Sequence, residues 1–262
     1  MKILFIGDIV ARPGRDTIKK VLPGVIKEHN PDLIIANAEN LSHGNGFTPE
    51  TIAEMQKAGI NFFTSGDHAW GNKMGMMKIT SEDFPVIRPA NFPPEVPGNG
   101  YFVVKDKADH KILVINLIGR VFMKKNYDCP FRTVDKILRQ TEKEKFDAIF
   151  VDIHAEATSE KYALGFYLDG RVSAVVGTHT HVPTADARIL DNGTAFMSDI
   201  GMTGSLDSVI GVRKDLIITS FLTQMPVKHE PETTGKMVFN GCLIDVDSKN
   251  KSTKIDHIQK II

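Results

Sequence analysis

The chain predicts a layered α/β fold, and three observations predict it. Short apolar runs alternate with longer amphipathic stretches of helical period, the pattern of strands joined through helices. Several of these runs end alike, in a small residue or loop followed by an acid, an amide or a histidine. The apolar run 172–176 breaks at Gly177 and delivers His179 and His181 within a few positions. In layered α/β folds, ligands collect at the carboxyl ends of strands, so these exits are where chemistry is expected.

In chain order, residues 3–6 form a buried first strand that exits at Gly7-Asp8. Pro13 and Gly14 mark a loop, and an amphipathic helix is expected from about 15 to 29, kinked or split at Pro23. After a Pro31-Asp32 turn, residues 33–36 form a second strand with Glu39 and Asn40 at its exit. The glycine-rich SHGNGF loop leads to a helix opened by Thr48-Pro49-Glu50, a cap followed by proline at the first helical position. Gly59 ends that helix, and a strand over 61–65 exits into Gly66-Asp67-His68.

Residues 85–97 are proline-rich and read as an ordered, meandering loop, after which the runs 100–104 and 111–117 form a β-hairpin. A helix around 132–145 precedes a strand over 148–153 that exits at His154. Beyond the two-histidine segment come a strand near 194–197, a glycine-rich loop (GMTGSLDSVIG) and a helix around 215–223. Two last strands cover 237–246 and 253–261. No repeat, low-complexity tract or linker separates these elements, so residues 1–262 are expected to form one domain.

Composition bounds the function. At 42% hydrophobic and 24% charged residues, the chain has ample core for a globular protein. Lys plus Arg and Asp plus Glu both number 32, which gives no bulk charge for nucleic acid or an acidic membrane. Cys129 and Cys242 form no CxxC arrangement and fit a reducing compartment, with one long-range disulfide as the alternative. The opening MKILFIGDIV is too short for a signal peptide or a membrane span, so a cytoplasmic protein without membrane contact is expected. Homo-oligomers are common among soluble enzymes, and one is expected here.

The strand exits collect Asp8, Glu39-Asn40, Asp67-His68, His154, His179 and His181. A single strand-end Asp or His is more often a cap or turn residue than a ligand. Five strand exits in order, each with a ligand type, are hard to obtain from turn chemistry. Carboxylates, an amide and imidazoles suit Mn, Fe or Zn rather than Ca. They are too many for one ion and about enough for two, the arrangement that serves in-line displacement at phosphorus.

The order Asp, acid, G-[ND]-H, His, G-x-H-x-H resembles the calcineurin-like metallophosphoesterase superfamily. The phrases GDIVARPGR, AEN, RPANFP, HAEATSEK, DGRVSAVVGTHTHVPTAD and DIGMTG resemble its bacterial YmdB branch over essentially the whole chain. The resemblance implies a four-layer α/β/β/α sandwich in a single domain, with a dinuclear iron or manganese site, zinc being a third option. It implies hydrolysis of small phosphodiesters such as 2′,3′-cyclic nucleotides by a metal-bridging hydroxide, and a connection to RNA metabolism. Carried over by position, one ion is expected on Asp8, Glu39, Asn40 and His181. The other is expected on Glu39, Asp67, His154 and His179, with Glu39 bridging.

His68 is expected to face the substrate and protonate the leaving oxygen, a role suited to an imidazole titrating near neutrality. Where the superfamily has a His two residues after its first Asp, this chain has Val10, and Asn40 takes over that ligand position. Where the superfamily reads G-N-H, this chain has Gly66-Asp67-His68. The added charge of Asp67 is expected to hold its ion more tightly, and to slow the site or tune it to another metal. Competing readings are a phosphomonoesterase or RNA-directed nuclease using the same site, and a metal- and nucleotide-binding regulatory protein of weak activity. The neutral net charge offers no basic strip for a long polyanion and favours small substrates.

Other residues carry weaker signals. Arg12 and Arg15 suit phosphate contact or a solvated helix start, and Arg88 and Asn91 suit a substrate-side loop or a structural one. Thr203 and Gly204 offer a phosphate cradle without the ending of a P-loop. Trp70 suits base stacking or core packing. His43 reads as an exposed loop residue, and His29, His110, His229 and His257 as surface residues. The substrate-binding residues cannot be placed from the sequence.

Overall fold

Strand β1 (Lys2–Ile6) is apolar on both faces, and the reason becomes plain in the computed structural model, which describes residues 1–81 and 83–262. Leu4 and Ile6 point outward into a core shared with Ile18, Leu22 and Val25 of helix α1 (Ala11–His29) and Ile52 and Met55 of α2 (Pro49–Lys57). Ile3 and Phe5 point inward, against Ile112 and Val114 of β6 (Lys111–Ile118) and Phe150 of β7 (Ala148–His154). The Phe5 and Phe150 rings stack with centroids 5.2 Å apart. The alternate residues of the second sheet, Leu113, Ile115 and Val151, face Val134 and Ile137 of α4 (Pro130–Gln140) and Leu164 and Leu168 of α5 (Thr158–Leu168). The order is therefore helices, sheet, sheet, helices, the expected four-layer α/β/β/α sandwich.

In the first sheet β1 pairs in parallel with β3 (Leu33–Asn37), which pairs in parallel with β4 (Phe62–Thr64). On its other side β1 meets β12 (Met237–Val246) antiparallel, with β13 (Ser252–Ile261) on the far edge of β12. The short β2 (Asp8–Ile9) joins the sheet through β11 (Met202–Ser205). In the second sheet β5 (Tyr101–Lys105) and β6 form the expected hairpin. Strands β6, β7, β8 (Ala174–Thr178) and β10 (Ala195–Met197) run parallel, and β9 (Arg188–Ile189) closes the edge antiparallel. Helices α3 (Lys73–Lys78) and α6 (Lys214–Thr223) complete the elements. The exits of β1, β3, β4, β7 and β8 meet at one rim, and that rim holds the site.

Four expectations change. Helix α1 begins at Ala11 and runs unbroken through Pro23. Pro13 falls in the first turn, where its missing N–H would have had no helical partner, and Pro23 lies on the solvent side, where water can satisfy the freed Lys19 carbonyl. Helix α4 stops at Gln140 rather than near 145. The stretch read as a glycine-rich loop contains strand β11, with Thr203 and Gly204 buried in it. Helix α5 has no sequence signal because its buried face carries Glu160, Lys161 and Gly165 among its leucines. Both cysteines are free, Cys242 within the core between the sheets. No helix among the described residues is long and apolar enough to cross a membrane.

Candidate metal centre

Each apolar strand hands a polar residue to the rim as it ends. Asp8 follows β1 through Gly7, and Glu39 and Asn40 follow β3. Asp67 and His68 follow β4, His154 ends β7, and His179 and His181 follow β8. Glu39, Asp67, His154 and His179 each place one ligand atom within 4.8 Å of the others. His154 Nε2 lies 3.0 Å from Glu39 Oε2, 3.4 Å from Asp67 Oδ1 and 2.9 Å from His179 Nδ1. Beside this group, His181 Nε2 lies 3.2 Å from Asn40 Oδ1 and 3.9 Å from Asp8 Oδ1. The two histidines therefore serve opposite halves of one cluster. His179 and His181 both adopt left-handed backbone, φ 98° and 67°, at a cost of about 1–3 kcal/mol each.

The imidazoles are oriented by their outward nitrogens. His154 Nδ1 lies 2.9 Å from Thr178 Oγ1, whose own hydroxyl donates to Asp152 Oδ1 at 2.8 Å. Because that hydroxyl proton is committed to Asp152, the network assigns the ring proton to Nδ1 and leaves the Nε2 lone pair facing inward. His181 Nδ1 donates to the Ile210 carbonyl at 2.9 Å, and His179 Nε2 sits 3.2 Å from Glu156 Oε2. All three rings thus aim a lone pair at the carboxylates.

The electrostatics are those of a cation site. Asp8, Glu39 and His154 are buried, and the inward oxygens Asp8 Oδ1 and Asp67 Oδ1 have no hydrogen-bond partner. Buried carboxylate oxygens without partners are costly, and a divalent cation removes that cost. Burial works against a charged His154, yet Glu39, Asp67 and Asp8 outweigh it and hold its pKa well above the usual histidine value. Burial and the neighbouring His154 push His179 down to about 4. Burial would raise Glu39, but His154 and His68 overcome it and hold the carboxyl well below its usual range. Burial raises Asp8 despite His181 and His154 nearby. Gly66 completes the cradle, since a Cβ there would collide with Glu39 Oε2 and the His154 ring. The donor set and the orphaned oxygens fit a metal ion.

His68 stands at the mouth, 34% exposed, with Nδ1 3.5 Å from Glu39 Oε1 and 3.2 Å from Asn40 Nδ2. The hydrogen bond to Glu39 raises its pKa above the usual histidine value, against burial. Val10 is buried against Ala11 and Met202 and presents no donor.

Several weaker candidates prove structural. Arg15 pairs with Glu54 at 2.7 Å and donates to the Leu41 carbonyl, and Arg12 pairs with Asp16. Arg88 donates to the carbonyls of Pro89, Ala90, Val96 and Pro97, and Asn91 ties Ile118 to Asp128, so both brace the proline-rich loop. Thr203 bonds to the backbone of Asn240, and Trp70 packs against Phe92. His43 and His229 are exposed, and His29 and His110 partly so. His257 is likewise only partly exposed, with its Nε2 enclosed and without a partner. Asp152 and Glu156 went unnoticed in the sequence. Asp152 lies two positions before His154 on one strand face, the one signal that could have found it.

The model of the YmdB-like protein family matches residues 4–259. A Bacillus subtilis (strain 168) protein named 2′,3′-cyclic-nucleotide 2′-phosphodiesterase is 44% identical over 260 residues, covering 98% of this chain and 96% of its own. A crystal structure of a hypothetical protein from Thermus thermophilus superposes with a TM-score of 0.92 at 39% identity, over 100% of this chain and 99% of that one. A crystal structure described as a novel phosphatase from Mycoplasma pneumoniae superposes at 0.91 with 32% identity, over 100% of this chain and 93% of that one.

If the cradle beside Gly66 holds a cation, Gly66→Ala should keep the far-ultraviolet circular dichroism of the parent. It should weaken Mn²⁺ binding about a hundredfold in a titration of chelator-treated protein. Unchanged Mn²⁺ affinity in that variant would place the ion elsewhere.

Proposed function

The chain belongs to the YmdB-like family and is an enzyme of the metallophosphoesterase type, and we propose that it hydrolyses small phosphodiesters, 2′,3′-cyclic nucleotides in particular, at a two-cation centre. The observation that carries this reading is the convergence of inward-facing imidazole lone pairs on buried, unpartnered carboxylate oxygens. The 44% identical relative named as a cyclic-nucleotide phosphodiesterase supports the substrate class.

In this reading Glu39, Asp67, His154 and His179 would hold one cation. Asp8, Asn40 and His181, together with Glu39, would hold the second. Carboxylate, amide and imidazole donors suit iron or manganese, with zinc a third option. Two bound cations supply an activated water and neutralise charge developing on the phosphoryl oxygens. The chain's own residues do the rest. Thr178, Glu156 and the Ile210 carbonyl fix the three rings so that no ring turns its N–H inward. His68 has Nδ1 engaged by Glu39 and Asn40, which leaves Nε2 to give a proton to the leaving ribose oxygen. The equal counts of acidic and basic side chains, 32 each, favour a small substrate over a long polyanion.

A phosphomonoesterase reading has one specific support, the 32% identical structure described as a phosphatase. Assaying a 3′-nucleotide beside the cyclic substrate separates the two. The deciding experiment is turnover of 2′,3′-cyclic AMP by protein reloaded with Mn²⁺ or Fe²⁺. We expect metal-dependent turnover that Asp8→Ala lacks. Two bound ions and stoichiometric nucleotide binding without turnover would instead identify a regulatory binding protein.

His68→Ala should lower kcat by about 10²–10⁴-fold while leaving KM and the number of bound ions unchanged, as loss of a general acid does. An equal loss of bound metal would assign His68 to the ligands. The extra charge of Asp67 should make the parent bind metal more tightly and turn over more slowly than Asp67→Asn. Identical metal content and identical rates in the two proteins would remove Asp67 as a tuning residue.

A further inference from the structure

The turn that carries His179 and His181 rests on a buried ion pair that lies outside the ligand set. Lys161 of α5 and Asp199, 1% and 2% exposed, meet at 2.7 Å. Asp199 Oδ2 also accepts the backbone N–H of Thr180, the residue between the two histidines, at 3.1 Å. Its Oδ1 accepts the N–H of Gly201 at 2.9 Å. The backbone of Asp199 is tied to Thr184 at the far end of the same turn: its N–H donates to Thr184 Oγ1 at 3.0 Å, and its carbonyl accepts the Thr184 N–H at 3.0 Å. The stem of Lys161 passes beneath Gly177, where a Cβ would meet its Cδ.

Buried ion pairs are seldom the most stable way to fill a core, because both charges lose their water. Lys161 sits on the buried face of α5, where an apolar side chain would otherwise pack. Besides the N–H of Gly201, the Asp199 carboxylate holds the N–H of Thr180 while the residues on either side stay in the disfavoured left-handed region. From that turn His179 reaches Glu39, Asp67 and His154, and His181 reaches Asn40 and Asp8.

We propose that Lys161 and Asp199 form a positioning pair that sets the two-histidine turn, and through it the geometry of both halves of the metal centre at once. Asp199 grips the turn, and Lys161, 2.7 Å from the same carboxylate, keeps it pointed at Thr180. Neither residue touches substrate or metal. The inference rests on the two-cation reading, so its test includes a measurement that needs no metal.

The test compares the parent with Lys161→Met, Asp199→Asn and the double variant, each checked for folding by circular dichroism. Metal-free protein is first examined by ¹⁵N-resolved NMR of the imidazoles. The signals of His179 and His181 should shift in the variants, while that of the exposed His229 stays. Each protein is then titrated with Mn²⁺ below its melting temperature. Folded variants should bind both ions at least about tenfold more weakly than the parent. A pair that only stabilised the fold would lower Tm but leave the affinity of the folded protein and the His179 and His181 signals unchanged, and that result overturns the proposal. Should a single variant fail to fold, the double variant carries the test, since it buries no unpaired charge. Parent-like signals and affinity in that protein overturn the proposal too. If the parent itself binds no Mn²⁺, the two-cation reading fails, and the NMR comparison still decides the role of the pair.

Discussion

Three carboxylates and three imidazoles converge at one rim of the sandwich, and the electrostatic cost of that convergence governs the neighbourhood. Carboxylates gathered out of water repel one another, and inward nitrogen lone pairs as close as 2.9 Å repel as well. In the protein alone Glu39, Asp67 and Asp8 hold the pKa of His154 well above the usual histidine value, against its burial. His179 gives way and stays neutral, pushed down to about 4. A metal cation answers the same demand with more charge, which is why the cluster reads as a metal centre rather than as a set of salt bridges.

The surroundings are built to hold that arrangement still. Each imidazole has its outer nitrogen committed, to Thr178, Glu156 or the Ile210 carbonyl. Behind Thr178, Asp152 receives hydroxyls from Thr64 and Thr178 and the amide of Asn37, and burial lifts its pKa to about 6. These partners come from β3, β4, β7 and β8, so the centre is braced by both sheets. At Gly7 and Gly177 the strand ends approach the backbone of Gly201 and Ser198 so closely that a Cβ would not fit. Residues on loops are thereby held with the precision of the sheets.

Much of this was legible in the chain. Runs such as 3–6 and 148–153 are apolar at successive positions because their strands are covered on both faces, and that pattern separates them from half-exposed strands. The exits are legible because a buried strand can turn polar only where it leaves the core. Asp8, Glu39, Asn40, Asp67, His154, His179 and His181 could therefore be collected in order. Arg15, Arg88 and Asn91 stayed open between two readings for a local reason. A polar side chain near a site looks the same in sequence whether it meets a substrate or a backbone carbonyl.

The sequence by itself determined the alternation of strands and helices and the ligand types at each strand end, because both are written in short-range pattern. Tertiary structure alone decided which of those ends share a point and which nitrogen of each ring faces it. It also decided that α5 belongs to the fold although it buries Glu160 and Lys161. The physical reason is that these features depend on partners far away in the chain. Lys161 becomes tolerable in the core only once Asp199 stands 2.7 Å away, and neither residue announces the other from its own neighbours.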